Sequence, residues 1–288
     1  MNVWQVTQIP VTRHIVSVVS AAVMLAMASG ASAAPNYPWA PSAAADTIAD
    51  RFTPPPGFRR TAAHPGSYAE WLRGLPLKPA GVPVRLHTGR LKANQSVHAA
   101  VIDIDVGRRD LQQCADAIIR LRAEYLYSRR HFSEIAFRFT SGDDARFSRW
   151  AQGWRPKVRG NRVTWVKRSA TGMGRASFAS YLRTVFIYAG TISVRRDLQP
   201  IAIRNVNVGD VFVEAGSPGH AVLVVDLAVD GAGRKVMLLA QSYMPAQNFH
   251  VLRNLNSSRW GAWYPVPTKG RVVTPEWTFR TTDLRRFR

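Results

Sequence analysis

Gly209-Asp210-Val211-Phe212-Val213-Glu214-Ala215-Gly216-Ser217-Pro218-Gly219-His220-Ala221-Val222-Leu223-Val224-Val225-Asp226 is the stretch on which the reading of this chain turns. Val211–Val213 is a short β-branched and aromatic run. Gly216, Pro218 and Gly219 form a cluster suited to a tight turn, since glycine accepts positive φ and proline presets its own. Ala221–Val225 is an unbroken apolar run, the pattern of a strand buried on both faces. The stretch therefore predicts two strands joined by a turn. His220 stands where the turn enters the second strand. An imidazole fixed at that point is placed to act as a general base, or simply to hydrogen-bond within the turn.

Moving outward, Asp230-Gly231-Ala232-Gly233 predicts a hairpin turn, and Val236–Ala240 a further buried strand ending at Gln241-Ser242. Upstream, Val97–Val106 predicts a strand whose Asp103 and Asp105 share a face. Two such carboxylates could hold a metal, orient an arginine or sit at a solvated edge. Asp110 and Gln113 have capping-box spacing and predict a helix start. Leu111, Ala115, Ile118 and Tyr125 continue with helical spacing, and Cys114 lies on the same stripe, in the first turn. Free N–H groups and the helix dipole favour a thiolate there. Cys114 is the chain's single cysteine, so it is either a small buried residue or a reactive thiol.

Ser67–Arg73 and Ser177–Ala189 predict further helices. Between them, residues 131–176 form an insertion rich in aromatics and arginines, among them Phe147, Trp150, Trp154 and Trp165. It is suited to polymer binding or to building a small core of its own. Residues 262–288 are expected to cover the sheet.

Residues 1–33 have the features of a secretory signal peptide. Arg13 and His14 precede an apolar run, Ile15–Met27, too short to span a bilayer. Ala31-Ser32-Ala33 has small residues at the cleavage positions, so the mature chain is expected to begin near Ala34. Residues 34–57, ending Pro54-Pro55-Pro56-Gly57, read as an Ala/Pro-rich linker or tail, and 58–288 as one α+β domain with its insertion at about 131–176. The expected location is the periplasm or the medium.

Lys and Arg number 39 against 18 Asp and Glu, a net charge of +21, or +20 once Arg13 is removed. Such a balance favours an anionic partner: an envelope polymer such as peptidoglycan, a phospholipid surface or nucleic acid. No zinc-finger spacing, basic heptad or aromatic RNA-binding motif occurs, which disfavours a dedicated nucleic-acid reader. Nothing in the sequence indicates a metal or organic cofactor.

Cys114 at a helix start, His220 at a strand start and Gln241 at the end of the next strand form a set suited to nucleophile, acid/base and ring orienter. The order helix-Cys, strand-His, next-strand-polar is that of papain-like cysteine hydrolases. The segments Gly209-Asp210-Val211-Phe212 and Gly219-His220-Ala221-Val222-Leu223-Val224 resemble the NlpC-type and CHAP-type peptidoglycan amidases. That resemblance implies a papain-like fold, with an antiparallel central sheet and the Cys-bearing helix packed on it. It also implies cleavage of an envelope amide bond, with Cys114, His220 and Gln241 in the catalytic roles. Ser242 and Tyr243 are candidates for a substrate groove, and Gln112 for an oxyanion hole. This sequence departs from the amidase pattern at the nucleophile's flanks, where Gln113 precedes and Ala115-Asp116 follow. A non-catalytic envelope-binding protein on a degenerate hydrolase fold is the alternative expectation.

Over nearly the whole mature chain the sequence also resembles the bacterial domain-of-unknown-function family 4846. The segments carrying this are His98-Ala99-Ala100-Val101-Ile102-Asp103-Ile104-Asp105, Leu111-Gln112-Gln113-Cys114-Ala115-Asp116-Ala117, Tyr188-Ala189-Gly190-Thr191 and Ala240-Gln241-Ser242-Tyr243-Met244-Pro245-Ala246-Gln247.

Overall fold

A computed structural model of the chain describes residues 1–3, 37–39 and 46–288. The signal-peptide reading falls on residues outside that set. In chain order the strands are β1 (Phe58–Arg60), β2 (His98–Val101), β3 (Ala136–Arg138), β4 (Asp144–Arg146), β5 (Trp154–Arg159), β6 (Arg162–Lys167), β7 (Gln199–Pro200), β8 (Val211–Glu214), β9 (His220–Asp230), β10 (Lys235–Gln241), β11 (His250–Leu252), β12 (Tyr264–Pro265), β13 (Arg271–Val273), β14 (Thr278–Arg280) and β15 (Leu284–Arg286). The helices are α1 (Ile48–Arg51), α2 (Tyr68–Arg73), α3 (Cys114–Ser128), α4 (Phe147–Ala151), α5 (Arg175–Tyr188) and α6 (Thr191–Asp197).

The predicted turn at 215–219 joins β8 to β9. The two pair antiparallel, with Val211 opposite Leu223 and Glu214 opposite His220. β9 is central to a nine-stranded sheet of order β2-β11-β10-β9-β8-β15-β7, with β1 beside the far end of β9 and β12 beside β10. Its pairings are antiparallel. The apolar run in β9 has the predicted cause, burial on both faces. Ala221, Leu223 and Val225 pack with the helices' buried residues, Ile118 of α3 and Phe178 of α5 among them. Val222, Val224 and Leu227 face a second layer with Met237, Val272 and Phe279. The C-terminal segment thus covers the sheet as expected, and β12 and β15 also join it. Secondary structure and sheet together make an α+β domain.

One irregularity redirects β9. Leu238 of β10 opposes Asp226, whereas Leu239 opposes Val224, so Val225 is an extra residue, a β-bulge. Before the bulge the odd-numbered residues face the helices, and after it the even-numbered Ala228 does. Asp226, fully buried, consequently meets Arg60 of β1 and Arg73 of α2, each Nε 2.6 Å from a carboxylate oxygen.

Several expected boundaries shift. α3 begins at Cys114 and not at Asp110, because the capping carboxylate is Asp116, whose Oδ2 accepts from Gln113 N–H at 3.2 Å. Asp110 instead accepts from Ala246 N–H at 2.7 Å and Gln113 Nε2 at 2.9 Å, tying the helix approach to the loop after β10. α5 starts after Gly174, which leaves Ser177 inside its first turn. The strand expected over 97–106 is regular only through Val101. Beyond it Asp105 pairs with Arg120 at 2.7 Å, and no His/Cys/Asp/Glu group that could hold a metal occurs among the described residues.

The insertion forms two hairpins, β3–β4 and β5–β6, around α4. Its Phe137, Phe147 and Trp150 join the core beneath α3 and do not build a separate one. The end of the Ala/Pro-rich tail likewise supplies a core residue, Ile48 in α1. Among the described residues no helix is long and apolar enough to cross a membrane.

His250 of β11 is fully buried. Its Nδ1–H donates to Asn248 O at 2.8 Å and its Nε2 has no partner. Burial, aided by Lys92, His98 and His220, brings its pKa down to about 3. An unfolded histidine binds a proton near pH 6.5, so between pH 6.5 and 3 the unfolded state holds the extra proton and stability rises with pH. Measured as the difference between wild type and His250→Gln, this contribution should grow by up to about 1.4 kcal/mol per pH unit in that window and level off above it. Denaturant titrations at pH 4, 5.5 and 7 read it. A difference that does not vary with pH would contradict the buried neutral ring.

Candidate active site

The first residue of α3, the start of β9 and the end of β10 meet at one end of the sheet. Cys114 lies against the backbone N–H of Ala221, the residue after His220, and is 4% exposed. It opens into a cleft of about 370 Å³ walled by Gly190-Thr191 and by the β8–β9 turn. Gly219 has to be glycine in that wall. A Cβ there would sit 2.4 Å from Thr191 Oγ1 and 2.7 Å from Glu214 O.

His220 is fully buried. Its ring is held among Tyr243, Trp277 and Phe279, with centroids 4.8, 5.4 and 5.8 Å away. The proton on this ring is assigned by its neighbours. Gln241 Nε2 donates to Glu276 Oε2 at 2.7 Å, which turns the amide oxygen toward the histidine. His220 Nε2–H then donates to Gln241 Oε1 at 2.7 Å, and Nδ1 keeps its lone pair. Nδ1 is buried with no hydrogen-bond partner, the thiol included. Glu276 Oε1 in turn accepts from Lys92 Nζ at 2.6 Å, and that ammonium lies 5.1 Å over the Tyr243 ring.

Electrostatics leave both Cys114 and His220 neutral at neutral pH. Burial, then the negative charge of Asp116, pushes the Cys114 thiol up to about 11. The N–H groups of Ala115, Ala221 and Cys114 itself act the other way and are outweighed. The expectation of a thiolate from the helix start alone is corrected here: the same first turn carries a buried carboxylate. Asp116 is itself raised well above the ordinary carboxylate range by its burial. Burial also lowers His220 to about 4, against the pull of Gln241 and with the help of Lys92.

His220 and Gln241 are thus bonded to each other, while the Cys114 thiol rests on the N–H of Ala221 and makes no hydrogen bond with the His220 ring. The substrate-site expectations fare differently. Ser242 is fully buried, its hydroxyl between the carbonyls of Gln112 (3.1 Å) and Gln247 (2.9 Å), so it pins the approach to α3 and lines no groove. Gln112 is engaged elsewhere: its Oε1 accepts from Arg120 at 2.6 Å and its Nε2 donates to Asp105 O at 3.3 Å, which ties its amide to those two residues. Tyr243 packs on the His220 ring, and burial raises its phenol.

Glu276 and Lys92 escaped the sequence reading. A signal for the first was present: Glu276 is one of only two acidic residues after position 230. Replacing it by Gln leaves the amide of Gln241 free to flip and the His220 proton free to move to Nδ1. Nitrogen NMR of the imidazole should show the tautomer change. An unchanged tautomer in Glu276→Gln would remove Glu276 from this role.

The chain belongs to the family described as Domain of unknown function (4846), whose sequence pattern it matches over residues 48–286. No curated protein and no solved structure matches it.

Proposed function

We propose that this member of the family is an exported papain-like cysteine hydrolase that cleaves an amide bond of the cell envelope, with peptidoglycan peptide as its substrate. The observation that carries the reading is the state of His220. Its Nε2–H is committed to Gln241, its buried Nδ1 keeps a lone pair with no partner, and the next residue, Ala221, offers its N–H to the Cys114 thiol. Export rests on the pattern around Ile15–Met27 and Ala31-Ser32-Ala33, and the anionic polymer on the +21 charge.

In this mechanism Cys114 Sγ–H gives its proton to His220 Nδ1 as the sulfur attacks the amide carbonyl carbon. The oxyanion is received by free N–H groups at the start of α3, where Cys114 and Ala115 line the cleft. His220 Nδ1–H then protonates the departing amine, leaving a thioester. A water, deprotonated by Nδ1, attacks the thioester carbonyl. It releases the carboxylic acid and returns the proton to the sulfur. Gln241 keeps the ring in one tautomer throughout.

Purified sacculi incubated with the protein should release new amino groups, and with Cys114→Ser they should not. Equal release by the two proteins would overturn the proposal. A second reading, an envelope-binding protein without catalysis, is favoured by the raised thiol. It predicts binding to sacculi with no release by either protein.

A further inference from the structure

Beside the cleft lies a second pocket, of about 420 Å³, within the size range of small-molecule sites. Five guanidiniums line it, those of Arg108, Arg109, Arg120, Arg175 and Arg183, against the two carboxylates of Asp105 and Glu124, a net +3. Both carboxylates are already occupied. Glu124, its side chain 2% exposed, accepts from Arg175 at 2.6 and 3.0 Å and lies 3.7 Å from Arg120. Asp105 holds Arg120. Arg108, Arg109 and Arg183 are exposed, and among the described residues their side chains have no hydrogen-bond or ion-pair partner. The floor is apolar, made by Leu111, Phe178, Leu182 and Phe186. Leu111 and Phe186 also line the Cys114 cleft, so the two cavities share a wall.

We infer that this pocket binds a carboxylate borne on an aliphatic branch of the ligand that enters the Cys114 cleft. Unpaired guanidiniums select a planar anion, which they engage through two parallel N–H bonds. The Leu/Phe floor takes the carbon chain behind it. The inference narrows the proposed substrate class to amides with an acidic substituent near the scissile bond. It rests on that proposal only for what happens in the neighbouring cleft.

The test uses full-length Cys114→Ser protein, so that binding is read without turnover. Acetyl-Leu-Glu-amide and acetyl-Leu-Gln-amide, which differ by one carboxylate, are titrated calorimetrically. The acid should bind about ten-fold or more tightly than the amide. With Arg109→Ala and Arg183→Ala added, both at exposed positions, the ratio should fall toward one. Equal affinities, no binding of either peptide at millimolar concentration, or a preference that survives the two substitutions would each overturn the inference. Because the protein titrated lacks the thiol, a positive result stands even if sacculi are never cleaved, and a negative one leaves the hydrolase proposal intact.

Discussion

Cys114→Ala and His220→Ala are each expected to lower kcat/KM for an envelope-peptide amide by about 10³–10⁴-fold, and the double variant to lower it little further. In the proposed mechanism the near-equality follows from the proton that passes between the two residues. Without His220 the thiol, held up to about 11, has no acceptor at neutral pH. Without the sulfur, the imidazole has no nucleophile to serve. The wild-type rate should hold down to about pH 4 and fall below it, since protonation of His220 occupies Nδ1. Initial rates on a defined peptide across pH 3–9 read both effects. Either single variant within ten-fold of wild type, or losses that multiply in the double variant, would break the assignment of the pair.

Removing the Asp226 carboxylate should be the most destabilising single change to the fold, at about 3–5 kcal/mol for Asp226→Ala. Its oxygens accept from Arg60, Arg73 and Leu227 N–H at 2.6, 2.6 and 2.8 Å. The guanidiniums they hold are themselves largely withdrawn from water and also bind carbonyls: Arg60 that of Ala49, Arg73 those of Thr61 and Leu227. Alanine would leave two cations facing a void in the middle of the molecule. The loss should appear as a lower urea midpoint with a similar slope. A change under about 1 kcal/mol would mean that water or a rearranged arginine replaces the carboxylate.

The parts of the fold legible in the sequence were those encoded locally. The β8–β9 turn could be read from its glycines and proline, and the double burial of β9 from its unbroken apolar run. The meeting of His220 with Gln241 was legible because each stands at the end of an apolar strand. What escaped depends on contacts distant in sequence. Asp110 looked like a cap by spacing, but its carboxylate is taken by Ala246, 136 positions on. Gln112 is adjacent to the right region, yet Arg120 and Asp105 turn its amide away. The charge on the helix start was misjudged because Asp116, two residues beyond the sulfur, is buried with it. Lys92 and Glu276 lie 184 positions apart, and only the folded chain makes them one pair.

The extra residue at Val225 makes β9 two rulers joined out of phase. Its first half turns His220 toward Trp277 and Phe279, and its second half turns Asp226 toward Arg60 and Arg73. Deleting that single valine would regularise the ladder and leave Asp226, Leu227 and Ala228 in their present layers, because Val224 and Asp226 already oppose neighbouring residues of β10. The bulge is thus what lets two even-numbered residues of one strand, His220 and Asp226, serve opposite faces of the sheet.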